Sequence, residues 1–222
     1  MKLIKKLLRE SLTFNMLEDM MDEDYPSSFD MEHFKSITSY AGRKRYCEEQ
    51  LQRISSGSSR IVYKIDDEKV LKLAYNKKGL AQNEIEIEYG NYYDLKGVVA
   101  KVFDNHPDNL WVEMELARKV TKANFASAMG YSFDDFSKMV HNYGVDSGNV
   151  KSRYNTKYSV HPEIEERLWE DEFAYGIFQF IGVYGLPVGD LQRTSSYGLV
   201  NGDDIVLIDY GLTHDVYSSY YS

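Results

Sequence analysis

The apolar pattern of this chain predicts an α+β fold in two lobes, strand-rich in the first half and helical in the second. Three observations carry that expectation. From Leu51 to Ala117, short apolar runs of strand length alternate with polar turns. Beyond Arg118, apolar residues recur at helical spacing. Two aspartates, Asp190 and Asp209, then bracket a short hairpin that follows the longest run of helical pattern.

The bulk composition sets outer bounds. With 222 residues, 43% of them hydrophobic, the chain can build one large or two small lobes. Lys and Arg number 26 against 35 Asp and Glu, and the resulting charge of -9 argues against general binding to a nucleic-acid backbone. Cys47 is the single cysteine, which rules out an intramolecular disulfide and a cysteine-rich metal site. The five histidines are scattered without the spacing of zinc ligands. No apolar run approaches the ~20 residues of a membrane span, and the basic start lacks a signal-peptide pattern, so the expected compartment is the cytoplasm. Compact size without targeting features also fits an accessory protein of a bacteriophage or mobile element, acting in the host cytoplasm.

Taken in order, residues 1–21 carry Leu3, Ile4, Leu7, Leu8, Leu12 and Met16 at helical spacing, basic at the start and acidic at the end. Such a helix needs a packing partner, because acid at its C-terminal end opposes the helix dipole. Residues 22–49 are polar, with a short helix expected around Ser39 to Gln50. Strands are expected at Leu51 to Ile54, Ile61 to Ile65 and Val70 to Ala74, the first two joined by Ser55-Ser56-Gly57-Ser58-Ser59. That loop can bring backbone N–H groups near an anion, although an ordinary polar hairpin has the same composition. Lys72 is flanked by Leu71 and Leu73, so if it points inward it needs an anionic partner. A helix from Gly79 to Tyr93 offers Glu84, Glu86 and Glu88, and spacing does not select among them. Val98 to Phe103 and Leu110 to Ala117 complete about five strands.

In the second half, Thr121 is positioned to cap a short helix through Met129, and Ser132 with Asp135 resembles a capping box for the next. Asn142 to Tyr158 is polar and expected as a long loop. Pro162 then starts what the pattern makes the longest helix of this half, with Ile164, Leu168, Phe173, Ile177 and Ile181 on its buried face. Gly198 to Val200 and Ile205 to Ile208 form a hairpin about Asn201-Gly202, which brings Asp190 and Asp209 toward one another.

In this order the parts resemble the protein-kinase-like fold, in the broad sense that includes aminoglycoside phosphotransferases, over about Leu51 to Thr213. Ile54 to Tyr63 resembles a degenerate phosphate-covering loop, Val70-Leu71-Lys72-Leu73 the strand whose lysine pairs phosphates, and Gln82 to Glu86 the helix supplying its glutamate. Glu113 to Ala117 resembles the hinge that meets adenine. Val188-Gly189-Asp190-Leu191 resembles the segment whose aspartate orients an acceptor hydroxyl, and Ile208-Asp209-Tyr210-Gly211 the segment whose aspartate holds magnesium. The resemblance implies a five-stranded antiparallel N-lobe over residues 51–117 and a reduced helical C-lobe over 118–222, and the helical pattern outside it makes residues 1–50 an N-terminal helical extension. It implies ATP and Mg2+ as cofactors, with Asp190 and Lys72 catalytic. Gly57, Ser58, Lys72, Glu86, Glu115 and Arg193 form the nucleotide set, and Asp209, Ser195 and Ser196 the metal set.

Two departures from that family divide the functional expectation. Ser195 and Ser196 stand where an asparagine is expected five residues after the acceptor-orienting aspartate, and a hydroxyl is the weaker metal ligand. Only residues 212–222 follow Gly211, too few for the activation segment and peptide-binding helices of protein kinases. The first reading is therefore a compact phosphotransferase acting on a hydroxyl. Nucleotidyl transfer is a lesser use of the same pocket. The alternative is a pseudokinase that works by contacting a protein partner.

Overall fold

The computed structural model describes residues 29–150 and 154–221. The helix expected over residues 1–21 lies outside them. Two short helices lead in, α1 (Met31–Ser36) and α2 (Tyr40–Gln50). Asp30 and Ser39 cap them, each accepting a hydrogen bond from the backbone N–H three residues on, which satisfies one of the orphan donors of a first helical turn.

A five-stranded antiparallel sheet follows, from β1 (Gln52–Ser56), β2 (Arg60–Lys64), β3 (Lys69–Ala74), β4 (Val102–Asn105) and β5 (Trp111–Glu115), in the order β1-β2-β3-β5-β4. Between β3 and β4 runs helix α3 (Lys77–Gly90). Because side chains alternate across a strand, Ile61, Tyr63, Leu71, Leu73 and Trp111 face one side, where Phe34 and Cys47 of α1 and α2 cover them. Val62, Val70, Val112 and Met114 face the other side and join the main core. The middle strands β2, β3 and β5 are thus covered on both faces, and from Val70 to Ala74 β3 accordingly is apolar except for Lys72.

The second lobe is largely helical: α4 (Lys122–Met129), α5 (Phe133–Asp146), α6 (Pro162–Glu170), α7 (Glu172–Gly182), a single turn α8 (Val188–Leu191) and α9 (His214–Tyr221). A small sheet of β6 (Arg118–Lys119), β7 (Tyr197–Val200) and β8 (Asp204–Leu207) sits among them. The two-lobed α+β architecture expected from the sequence is the one observed. Thr121 and Asn124 form a reciprocal capping box on α4, and Ser132 caps α5. Two boundaries differ from expectation. The helical pattern after Pro162 is split at Asp171, which both ends α6 and caps α7 by accepting from the Ala174 N–H, so the longest helix of this lobe is α5, which runs on to Asp146. The tail forms α9, seated by Val216 and packed against α3.

The hairpin turn uses Asn201 and Gly202, both at positive φ (48° and 96°), as a tight turn between twisted strands requires. Leu207 accepts from the Ala100 N–H and donates to the Val98 carbonyl at 2.9 and 2.8 Å. This stitches β8 to the segment that leads into β4. The residues just after β8 are thereby fixed against the first lobe.

Candidate functional site

The cleft between the lobes has a volume of about 470 Å³, and its walls are apolar at one end and charged at the other. Val62, Val70, Ala100, Met114, Leu186 and Ile208 make the apolar end, drawn from both lobes. Lys72, Arg60, Asp209, Asp190 and Arg193 make the charged end.

Lys72 reaches the cleft because it alternates with Leu71 and Leu73 and lies directly opposite Val62 of β2. Its ammonium donates to Glu86 Oε2 at 2.9 Å and to the Ile208 carbonyl at 2.8 Å. Helix α3 presents Glu86 because Gly79, Gln82, Asn83, Glu86 and Tyr89 form its buried stripe, whereas Glu84 and Glu88 are exposed. The choice left open by spacing among three glutamates is resolved by helix phase: Glu86 is fully buried and pairs with Lys72.

Arg60 is the residue that sequence reasoning missed. Its guanidinium sits 2.7 Å from Glu86 Oε2 through Nη1, donates from Nη1 to Asn83 Oδ1 at 3.3 Å, and donates from Nη2 to Asp209 Oδ1 at 3.0 Å. The strand parity carried the signal. With Ile61, Tyr63 and Ile65 on the outer face, Arg60 must share the inner face with Val62. Two cations therefore converge on one buried carboxylate, with Asp209 completing the balance. Burial works against the charge of Arg60, but Glu86 and Asp209 outweigh it and hold the guanidinium above its ordinary range. Lys72 moves the other way: burial lowers its ammonium, and the pull of Glu86 is countered by the neighbouring Arg60. The difference follows from the contacts, since Arg60 touches both acids and Lys72 only one.

The Asp209-Tyr210-Gly211 segment is wedged against α3. Tyr210 is fully buried, and its hydroxyl donates toward the carbonyls of Glu86 and Ala100, each at 3.2 Å. At Gly211 a Cβ would lie 2.4 Å from the Gln82 carbonyl oxygen, so the approach to α3 admits glycine alone without a shift. Asp209 itself remains open, with 64% of its side chain exposed.

Asp190 stands on the single turn α8, half-buried, 3.5 Å from Arg193 Nη1. Burial raises its carboxyl above the ordinary value; Arg193 opposes the rise and Asp209 adds to it. Buried Tyr197 anchors this turn through its hydroxyl bond to the Leu191 carbonyl at 2.6 Å.

Gly57, Ser58 and Ser59 line the cleft as the connection between β1 and β2. The Gly57 N–H donates to the Arg60 carbonyl at 3.0 Å, Tyr75 Oη donates to the Gly57 carbonyl at 2.6 Å, and Ser59 Oγ to Gln82 Oε1 at 2.6 Å. The loop is therefore tied down at its base. In the hinge-like segment, the Glu115 carboxylate turns to the Lys101 N–H at 3.2 Å, and the Leu116 N–H goes to the Glu68 carbonyl at 2.6 Å. Glu115, Leu116 and Ala117 line the cleft, and the Glu115 carboxylate is committed to the Lys101 N–H.

Two of the three residues expected to hold a metal, Ser196 and Asp209, have partners within the protein. Ser195 and Ser196 do line the cleft with Asp209. Ser196 Oγ, however, donates to the Asp190 carbonyl at 2.7 Å, and Asp209 Oδ1 already carries Arg60. Among the described residues, no group of three or more His, Cys, Asp or Glu could hold a metal ion. A divalent cation on Asp209 Oδ1 would lie beside a guanidinium that Glu86 and Asn83 pin in place, so that oxygen does not suit magnesium while the Arg60 pair is intact.

No protein-family model matches the chain, and no curated protein sequence matches it. Several solved structures align over most of its length. The streptomycin–ATP ternary complex of APH(2'')-IIa is 11% identical over 79% of this chain and 72% of the other, with a TM-score of 0.36. ADP-bound aminoglycoside phosphotransferase APH(2'')-Ib is 11% identical over 76% and 69%, also with a TM-score of 0.36. The gentamicin complex of APH(2'')-IIa is 10% identical over 79% and 71%, with a TM-score of 0.35. Scores this low transfer no ligand or residue role, and the functional reading rests on the geometry of the cleft.

Proposed function

We propose that the cleft is a kinase-like nucleotide site. The observation that carries this reading is the charged network Lys72–Glu86–Arg60–Asp209 at one end of a cleft whose other end is an apolar slot. A nucleotide has that same division, with a flat apolar base at one end and a polyanion at the other. Val62 and Val70 would cover one face of the base and Leu186 and Ile208 the other, while Glu115 to Ala117 offer backbone groups to its edge. Lys72 and Arg60 would bind phosphate oxygens, and the Ser58 region would lie over them.

Asp190 suits the task of orienting an acceptor hydroxyl and taking its proton, because it lines the cleft with its carboxyl partly shielded from water. Chemically, the transfer would move the terminal phosphoryl group of the nucleotide to that oxygen. A second reading, a catalytically silent module that binds nucleotide and acts through a protein partner, is favoured by the Arg60–Asp209 pair. Among the described residues no helix is long and apolar enough to cross a membrane.

Calorimetric titration with ATP, followed by product analysis with γ-labelled ATP and small hydroxyl acceptors, tests both. Binding with release or transfer of labelled phosphate supports the phosphotransferase. Binding without turnover supports the silent module. No heat with any purine nucleotide would refute the nucleotide reading.

A further inference from the structure

A polyphosphate brought into this cleft meets positive charge supplied by the protein itself. Lys72, Arg60 and Arg193 all line it. The guanidinium of Arg60 is held from behind by Glu86 and Asn83, and its contact on the cleft side is with Asp209. The guanidinium donates two hydrogen bonds, to Asn83 and Asp209, beside its ion pair with Glu86, and its fork matches phosphate as well as carboxylate. Asp209 is the exposed partner, so phosphate can replace it on Nη2 while the buried contacts stay intact. While Arg60 Nη2 stays on Asp209 Oδ1, a metal ion competing for that oxygen would sit beside a nine-tenths buried guanidinium that Glu86 holds from behind.

Resting on the nucleotide reading above, we propose that Arg60 takes the place of a divalent cation in this cleft, so that a nucleoside di- or triphosphate binds without metal. The phosphates exchange with the Asp209 carboxylate on the guanidinium. The two Arg60-linked acids then have separate jobs: Glu86 keeps the cation in position, and Asp209 screens it until the ligand arrives.

The test is titration of the full chain with ATP, once in excess EDTA and once in excess magnesium, for the unchanged protein and for Arg60→Gln and Arg60→Lys. The unchanged protein should bind in EDTA with an affinity within about threefold of that in magnesium, a difference under 1 kcal/mol. Arg60→Gln should weaken EDTA binding by about ten- to a hundredfold, the scale of one charge-assisted contact, and should bind better when magnesium is added because Asp209 is released. Arg60→Lys, which keeps the charge but not the fork, should fall between. Binding by the unchanged protein only in magnesium overturns the proposal while leaving the nucleotide reading standing. Equal EDTA affinities for unchanged protein and Arg60→Gln also overturn it. Absence of binding in both buffers removes the nucleotide reading and this inference together. The comparison of buffers needs no variant, so a failure of Arg60→Gln to fold does not weaken it.

Discussion

Replacing Glu86 by Ala should cost more stability than any other single truncation in the cleft. The carboxylate is fully buried, and one oxygen, Oε2, faces both Lys72 at 2.9 Å and Arg60 at 2.7 Å. Removing it leaves two cations on the buried side with only the exposed Asp209 in reach. Breaking a buried ion pair by deleting one partner costs about 3–5 kcal/mol, and two orphaned cations place Glu86→Ala at the upper end of that range. Glu86→Gln keeps an oxygen that can accept one bond and belongs at about 2–3 kcal/mol. Lys72 limits the loss, since its ammonium is already held low by burial and can shed its proton. For a chain of 222 residues, a loss of about 4–5 kcal/mol corresponds to a drop in Tm of about 8–20 °C. Urea unfolding followed by circular dichroism reads the change, with an unaltered slope as the control for two-state behaviour. Adding Lys72→Met to Glu86→Gln should recover part of the loss, because it removes one of the two stranded charges. A loss below about 1 kcal/mol for Glu86→Ala would refute the view that this carboxylate is the buried counter-ion of the cleft.

Other consequences are sharper in kind than in size. Burial pushes the Cys47 thiol up to about 12, so a thiol reagent at pH 8 should leave it unmodified in the native state and label it on unfolding in urea; rapid native labelling would contradict its place under the sheet. Gly211→Ala should cost about 1–3 kcal/mol and weaken ATP binding, because the added methyl meets the Gln82 carbonyl and displaces Asp209; unchanged melting and affinity would count against the wedged segment. Any transferase activity needs Asp190 ionised, so its rate should fall as pH drops through a value above that of an ordinary aspartate, and Arg193→Gln should move that acid limb further up because Arg193 lowers the Asp190 value. The Arg193 effect should be small, as its side chain is 69% exposed. A pH–rate profile whose acid limb moves down in Arg193→Gln would contradict this arrangement.

The sequence made the two lobes legible through period alone. Short apolar runs between polar turns marked β2 and β3, and the apolar neighbours of Lys72 forced it to seek an anion. Thr121, Ser132 and Asn201-Gly202 announced their caps and turn because each has a local side-chain or backbone reason to be there. The glutamate facing Lys72 could not be picked from composition, because a helix acidic on several faces hides its phase. The buried polar stripe through Gln82, Asn83 and Glu86 supplied it. The split at Asp171 was hidden because the apolar spacing continues through it, and only its cap to Ala174 shows that a second helix begins there. Arg60 was overlooked because a charged residue beside a small-residue loop looks solvated, and its burial depends on acids 26 and 149 positions away in the chain. Strand parity could have placed it inward, but parity alone does not name Glu86 and Asp209 as its partners.

Labelling with an acyl-phosphate derivative of ATP tests the central claim most directly, since it transfers its tag to a lysine amine held beside the phosphates. Mass spectrometry of the digested protein should find the tag on Lys72, whose ammonium burial holds low and therefore more nucleophilic, and excess ATP should prevent it. Tagging confined to exposed lysines such as Lys122 and Lys157, indifferent to added ATP, would contradict a phosphate site in the cleft.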